Sequence, residues 1–177
     1  VYGFSLNVHD IDPTYSLGEL ERKKKEAIAR LKSEGLYDLN KNQTLIKPLR
    51  NIAVIASPTS AGIGDFFAQL KSNRYGYRYH LALLPAVVQG NEAVGSIRRQ
   101  LAIVDKYHEQ FDAVAILRGG GGKLDLNCFD EYALAADVAR CQVPVLTGIG
   151  HEKDESVCDM VAYGKLKTPT ALAEFIV

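Results

Sequence analysis

The chain has 177 residues, of which 47% are hydrophobic and 24% charged, with 15 Gly and 6 Pro. This composition excludes disordered, collagen-like and coiled-coil chains, and the length allows one substantial core with a small appendage. Twenty-one Lys plus Arg balance 21 Asp plus Glu, so no overall basic field points to nucleic acid or a membrane, and any phosphate site must be local.

In chain order, Val1 to Asp12 alternates like one half-buried strand, with Tyr2, Phe4, Leu6 and Val8 on one face and Ser5 and Asn7 on the other. A lone strand needs a sheet, and Val1 is not an initiator, so the start reads as cut from something longer. Ser16 with Glu19 forms a capping-box pattern, followed by Leu17, Leu20, Ala27, Ile28 and Leu31 at helical spacing and by Gly35 as a stop. The other face of this helix carries Arg22, Lys23, Lys24, Lys25 and Arg30, which reads as a solvated face. Leu36 to Arg50 is polar and irregular, as in a linker.

A regular alternation then begins. Ile52 to Ala56, Tyr79 to Leu84, Ala113 to Leu117 and Val143 to Thr147 are short apolar runs. Gly62 to Asn73, Glu92 to Tyr107, Leu124 to Arg140 and Ser156 to Tyr163 have helical period. The order βαβαβαβα predicts an α/β fold: an open, mostly parallel sheet of about four strands with helices on both faces. Thr168-Pro169-Thr170 then reads as an N-cap with Pro in the first turn of a helix that is still running at Val177.

Cys128, Cys141 and Cys158 match neither a disulfide framework nor a zinc motif. They read as reduced, intracellular thiols. No run approaches the ~18 apolar residues of a membrane span, and no leader opens the chain. The expectation is a soluble, cytoplasmic protein with no membrane partner.

Ligands of open α/β sheets bind beyond the carboxyl ends of the strands. After the first apolar run stands Ser57-Pro58-Thr59-Ser60-Ala61-Gly62, with Asp65 further on. Ser57 and Thr59 can donate to a phosphate or cap the next helix, and the capping role needs no ligand. Asp65 lies opposite the Ile63, Phe66, Phe67 and Leu70 stripe and, by itself, reads as an acid complementing the helix dipole. The loop after the second run, Pro85 to Gly90, is blander.

After the third run comes Arg118-Gly119-Gly120-Gly121-Gly122-Lys123, where glycine N–H groups can turn toward an anion and Arg118 can add a bidentate donor. The register fits neither a Walker A loop nor G-x-G-x-x-G. A flexible tight turn is the simpler alternative on this loop alone. After the fourth run, His151 and Asp154 are three apart at a loop-to-helix junction, the equipment for acid–base work on a phosphate ester. Asp154 as a mere helix cap and a divalent metal held by the pair are the alternatives.

Together these motifs resemble the large subunits of bacterial exodeoxyribonuclease VII. The resemblance runs through Ser57-Pro58-Thr59 with Asp65, Val88-Gln89-Gly90, Arg118-Gly119-Gly120-Gly121 with Phe129 and Glu131, Gly150-His151-Glu152 with Asp154 and Asp159, and Thr168-Pro169-Thr170 with Ala171, Ala173 and Glu174. It implies a residual last strand of an N-terminal OB-fold over 1–15, a connecting helix and linker over 16–49, and an α/β catalytic domain over 50–177 that ends where a C-terminal helical region starts.

The resemblance further implies hydrolysis of single-stranded DNA from either end to 5′-phosphorylated oligonucleotides. No divalent metal is required, and several copies of a small subunit bind through the helical region. Asp65, Arg118, His151 and Asp154 fall on the family's essential positions, which moves Asp65 from a dipole residue to a site residue. Gly119, Gly120, Gly121, Gly122, Ser57 and Thr59 become phosphate or DNA contacts. The chain departs from the family pattern at Gly122 to Asn127, at Glu155 and at Tyr163. The competing class is a non-catalytic phosphate- or oligonucleotide-binding module, which has no need of His151 with Asp154.

Overall fold

A computed structural model of the chain describes residues 13–119, 123–150 and 155–177. The half-buried strand expected over Val1 to Asp12 lies outside these residues. The first helix, α1 (Pro13–Ser33), starts three residues before Ser16, so Ser16 stands inside the helix and not at its cap. It ends as expected at Gly35, where the Leu36 N–H returns to the Leu31 carbonyl at 2.9 Å.

Five strands follow: β1 (Asn51–Ala56), β2 (His80–Pro85), β3 (Ala113–Leu117), β4 (Val145–Gly148) and the two-residue β5 (Gly164–Lys165). They form one open, all-parallel sheet in the order β2-β1-β3-β4-β5. The fifth strand exists because the helix expected to reach Tyr163 stops at Val161. The chain then turns extended at Ala162 and pairs with β4.

The crossovers are α2 (Ala61–Lys71), α3 (Ala93–Lys106), α4 (Tyr132–Arg140) and α5 (Val157–Val161), and α6 (Pro169–Ile176) closes the chain. Parallel strands are buried on both sides, and alternate residues serve the two layers. Ala53, Ile55, Val114, Ile116 and Val145 pack under α1, α3, α4 and α5, with Ile97, Leu101, Leu134 and Val161 fully or almost fully buried. Ile52, Val54, Ala115, Leu117 and Leu146 pack on the opposite face under α2 and α6, through Phe66, Leu70, Leu172 and Ile176.

Two further differences from the sequence reading change how the elements pack. The helix expected over Leu124 to Arg140 is split into a 3-10 helix, Lys123–Asp130, and α4, with Glu131 extended between them. The break buries Phe129 completely and lets the Asp130 carboxylate accept the Val157 N–H at 2.8 Å. The fourth run pairs from Val145 rather than Val143, because the Val143 carbonyl is taken by a side chain from the supposed linker.

That side chain is Asn40, which is fully buried. Its Nδ2 donates to the Cys141 and Val143 carbonyls at 3.0 and 3.1 Å, and its Oδ1 accepts the Val145 and Tyr163 N–H groups at 2.9 and 3.1 Å. With Leu36 and Leu49 also buried, residues 36–49 pack against the sheet instead of crossing solvent. Asn40→Ala leaves the Val143 carbonyl and the Val145 and Tyr163 N–H groups without this partner, while the Cys141 carbonyl keeps Gln43 Nε2 at 2.5 Å. The change should lower stability by about 3 kcal/mol, read as a fall in the urea midpoint with an unchanged slope.

Candidate functional site: a cleft at the switch point of the sheet

β1 continues through α2 on one face, whereas β3 continues through the 3-10 helix and α4 on the other. Adjacent strands whose connections leave in opposite directions open a crevice at their carboxyl ends. A cleft of about 560 Å³ lies there, lined by Ser57 to Ser60 after β1, Pro85 to Gln89 after β2, and Arg118 and Gly119 after β3.

Ser57 and Thr59 both face the cleft, and their hydroxyls lie 3.2 Å apart. Neither caps α2. Its N-cap is Ser60, which makes no side-chain cap bond, so the expected capping role gives way to two hydroxyls that hydrogen-bond each other on residues lining the cleft. A tight turn, with the Ser60 N–H on the Ser57 carbonyl at 3.1 Å, sets the pair there.

Arg118 is 3% exposed, unusual for a cation that ordinarily keeps its head in water. Its backbone N–H donates to the Gly148 carbonyl at 3.2 Å, holding the end of β3 to the end of β4. The guanidinium field reaches Cys128, where it opposes the burial that pushes this thiol up to about 11.

Gly119 is required by close approach. A Cβ there would stand 2.9 Å from the Ser60 Cβ, and one on Gly62 would stand 3.5 Å from the Gly119 Cα. The loops after β1 and β3 therefore touch backbone to backbone. Pro169 closes in from below, 3.1 Å from the Cβ that Gly62 lacks. The Thr168 hydroxyl caps α6 at the Ala171 N–H, as the sequence predicts, and brings α6 to this same edge.

Other expectations divide. Asp65 is exposed on α2 and stands outside the cleft lining, and as the fifth residue of the helix it lies past the first turn where the dipole acts. Gly120, Gly121, Gly122, His151 and Asp154 lie outside the described residues. What flanks the 151–154 segment is clear. On one side Gly150 has φ +105°. On the other, Ser156 and Asp159 form a reciprocal capping box, and Asp159 also accepts the Thr147 hydroxyl of β4 at 2.6 Å. The cap of α5 is thus Ser156.

Lys24 of α1 donates to the Glu155 carbonyl and pairs with Asp130 at 3.4 Å. Burial raises the Asp130 pKa, and the Val157 N–H and Lys24 oppose that shift. The basic face of α1 is thus partly engaged at the site's edge. Sequence reasoning missed Asp130 as an anchor, because its partners come from α1 and α5. It also underrated the loop after β2: the Val87 N–H donates to the buried Ser96 hydroxyl at 2.9 Å, which fixes that wall of the cleft.

The family profile described as "Exonuclease VII, large subunit" matches residues 36–177. The chain belongs to the exonuclease VII large-subunit family. Curated relatives named "Exodeoxyribonuclease 7 large subunit" include one from Deinococcus radiodurans, 35% identical over 99% of this chain and 43% of its own length. Another, from a Nostoc species, is 41% identical over 84% of this chain and 35% of its own length. A third, from Pseudomonas aeruginosa, is 39% identical over 83% and 31%. The chain therefore spans less than half the length of these relatives.

Cys141 and Cys158 are buried and Cys128 is half-buried. Burial raises Cys141 to about 12 and Cys158 well above the ordinary thiol value. Because a raised pKa leaves little thiolate at neutral pH, iodoacetamide at pH 7.5 should label Cys128 slowly and spare Cys141 and Cys158. All three should react in urea, as mass spectrometry of the peptides would show.

Proposed function

We propose that this chain is the catalytic α/β part of an exodeoxyribonuclease VII large subunit, hydrolysing phosphodiester bonds of single-stranded DNA to 5′-phosphorylated oligonucleotides in the cytoplasm. The observation that carries this reading, beyond family membership, is the burial of Arg118 at the end of β3, against the same cleft as Gly119 and the Ser57 and Thr59 hydroxyls. Water-excluded donors aimed at a phosphoryl group stabilise transition-state charge far better than exposed ones.

In this reading Arg118 and the glycine backbone hold the phosphoryl oxygens, and Ser57 and Thr59 position the adjacent phosphate. His151 activates water or protonates the leaving oxygen, and Asp154 or Asp65 orients it. The anchoring of Ser156 and Asp159 to Thr147, and of Val157 to Asp130, supports placing the 151–154 segment at the carboxyl edge of β4. The relatives' name, large subunit, supports a small-subunit partner. As the family resemblance implies, several copies of it would dock on a helical region beyond this chain.

The test is digestion of a labelled single-stranded oligonucleotide in EDTA by the full-length large subunit assembled with its small subunit. The wild type should cut and His151→Ala should lose activity by at least about 100-fold, the scale of general acid–base catalysis. Gly119→Ala should also lose activity while keeping its melting temperature within a few degrees, because the added Cβ pushes the loop after β3 away from Ser60. Cutting with Mg²⁺ alone would establish a metal requirement, and tight binding without cutting would leave a binding module.

A further inference from the structure

The loop that joins α2 to β2, residues 72–79, lies at the amino edge of the sheet, opposite the cleft. With its neighbours it reads Lys71-Ser72-Asn73-Arg74-Tyr75-Gly76-Tyr77-Arg78-Tyr79-His80, aromatic and basic residues interleaved with no Asp or Glu. Tyr75 and Tyr77 are large rings left 53% and 48% exposed. They stack on each other, with centroids 5.6 Å apart and planes at 29°. The Arg74 guanidinium lies over the Tyr75 ring at 4.8 Å and donates to its hydroxyl at 2.6 Å.

The exposure is held in place. Asn73 Nδ2 donates to the Leu70 and Tyr77 carbonyls at 2.8 Å each, and its Oδ1 accepts the Tyr75 and Tyr77 N–H groups at 3.2 and 2.9 Å. Gly76, at φ +71°, supplies the reversal between the two rings. One side chain thus holds the backbone that carries both tyrosines before any ligand arrives. Beside the rings is a hollow lined by Gln69, Ser72, Asn73, Arg74, Tyr75 and Glu174.

We propose that Arg74, Tyr75, Tyr77 and Arg78 form a second, non-catalytic site that stacks the bases of single-stranded DNA. Flat rings beside cations are the equipment by which proteins hold unpaired bases without reading sequence. Both the rings and the positive charge fit this ligand: Lys71 to His80 carries Lys71, Arg74 and Arg78 with no carboxylate, which suits a polyanion of stacked bases. β2 has six residues, so its amino end stands ~20 Å from the cleft at the rise of a parallel strand. The platform therefore holds a strand several nucleotides from the point of cutting. The identity of the ligand rests on the single-stranded DNA reading given above.

The experiment uses the full-length large subunit assembled with its small subunit. Photo-cross-linking of an iodouracil-substituted single strand, followed by peptide mapping, should find adducts on Tyr75 or Tyr77. The paired change Tyr75→Ala and Tyr77→Ala should raise KM for a long single strand by about tenfold. It should leave kcat and the KM of a strand too short to span the sheet unchanged. Tyr75→Phe with Tyr77→Phe keeps the ring faces and should restore the KM. Replacing Lys71, Arg74 and Arg78 by Ala should flatten the salt dependence of binding by about 2 in log–log slope.

Normal cutting with no cross-link and an unchanged KM for the Ala pair overturns the platform and leaves the nuclease reading intact. Cross-links on Tyr75 or Tyr77 without any cutting by the wild type support the platform and sink the nuclease reading. Loss of assembly in the Ala pair, seen by light scattering, makes the patch a subunit contact and also overturns the proposal.

Discussion

The parallel pairing of β1 against β3 is the constraint on which the rest of the molecule depends. Ile52 pairs with Ala113 and Ile55 with Ile116, so both strands end at one level. Their successors then leave toward opposite faces. Because neither connection can cross the other's strand, the edge between them stays open. The phosphate-holding part of the proposal follows from that opening: Ser57 and Thr59 on one lip, Arg118 and Gly119 on the other, and the β2 loop as the third wall.

A sheet with both faces covered leaves little freedom at that edge. Gly119 and Gly62 are small because two loops and the start of α6 meet there, and a single methyl group on Gly119 would collide with Ser60. Close backbone approach also explains why Arg118 is buried, since the loops that crowd Gly119 shut water away from the residue before it. A buried cation in an ordered wall is costly for folding but is well placed to meet negative charge.

Below the edge, order is carried by polar side chains that bridge distant segments. Asn40 ties residues 36–49 to β4 and to the turn before β5, and Asp130 ties the 3-10 helix to α5 and α1. Each serves backbone groups that strand and helix geometry leave unpaired. These bridges bring α1, outside the alternating βα pattern, into the same body as the sheet. The basic face of α1 follows suit, with Lys24 on the Glu155 carbonyl ahead of α5 and Arg30 over the Tyr132 ring at 3.7 Å.

Local pattern was enough for much of this protein. The alternation of apolar runs and helical stripes determined the α/β class, β3 to the residue, the Thr168 cap and the exposure of Asp65, because period and capping are properties of neighbours in sequence. Arg118 and Gly119 after β3 were legible as cleft residues for the same reason: in such a sheet, position after a strand is position in the cleft. The tertiary structure alone decided the fifth strand, the break at Glu131, the anchoring of the supposed linker by Asn40 and the turning of Ser57 and Thr59 toward the cleft. Each depends on partners tens of residues away, and a polar side chain chooses between capping its own helix, bridging to another segment and facing a ligand only when those partners are in place.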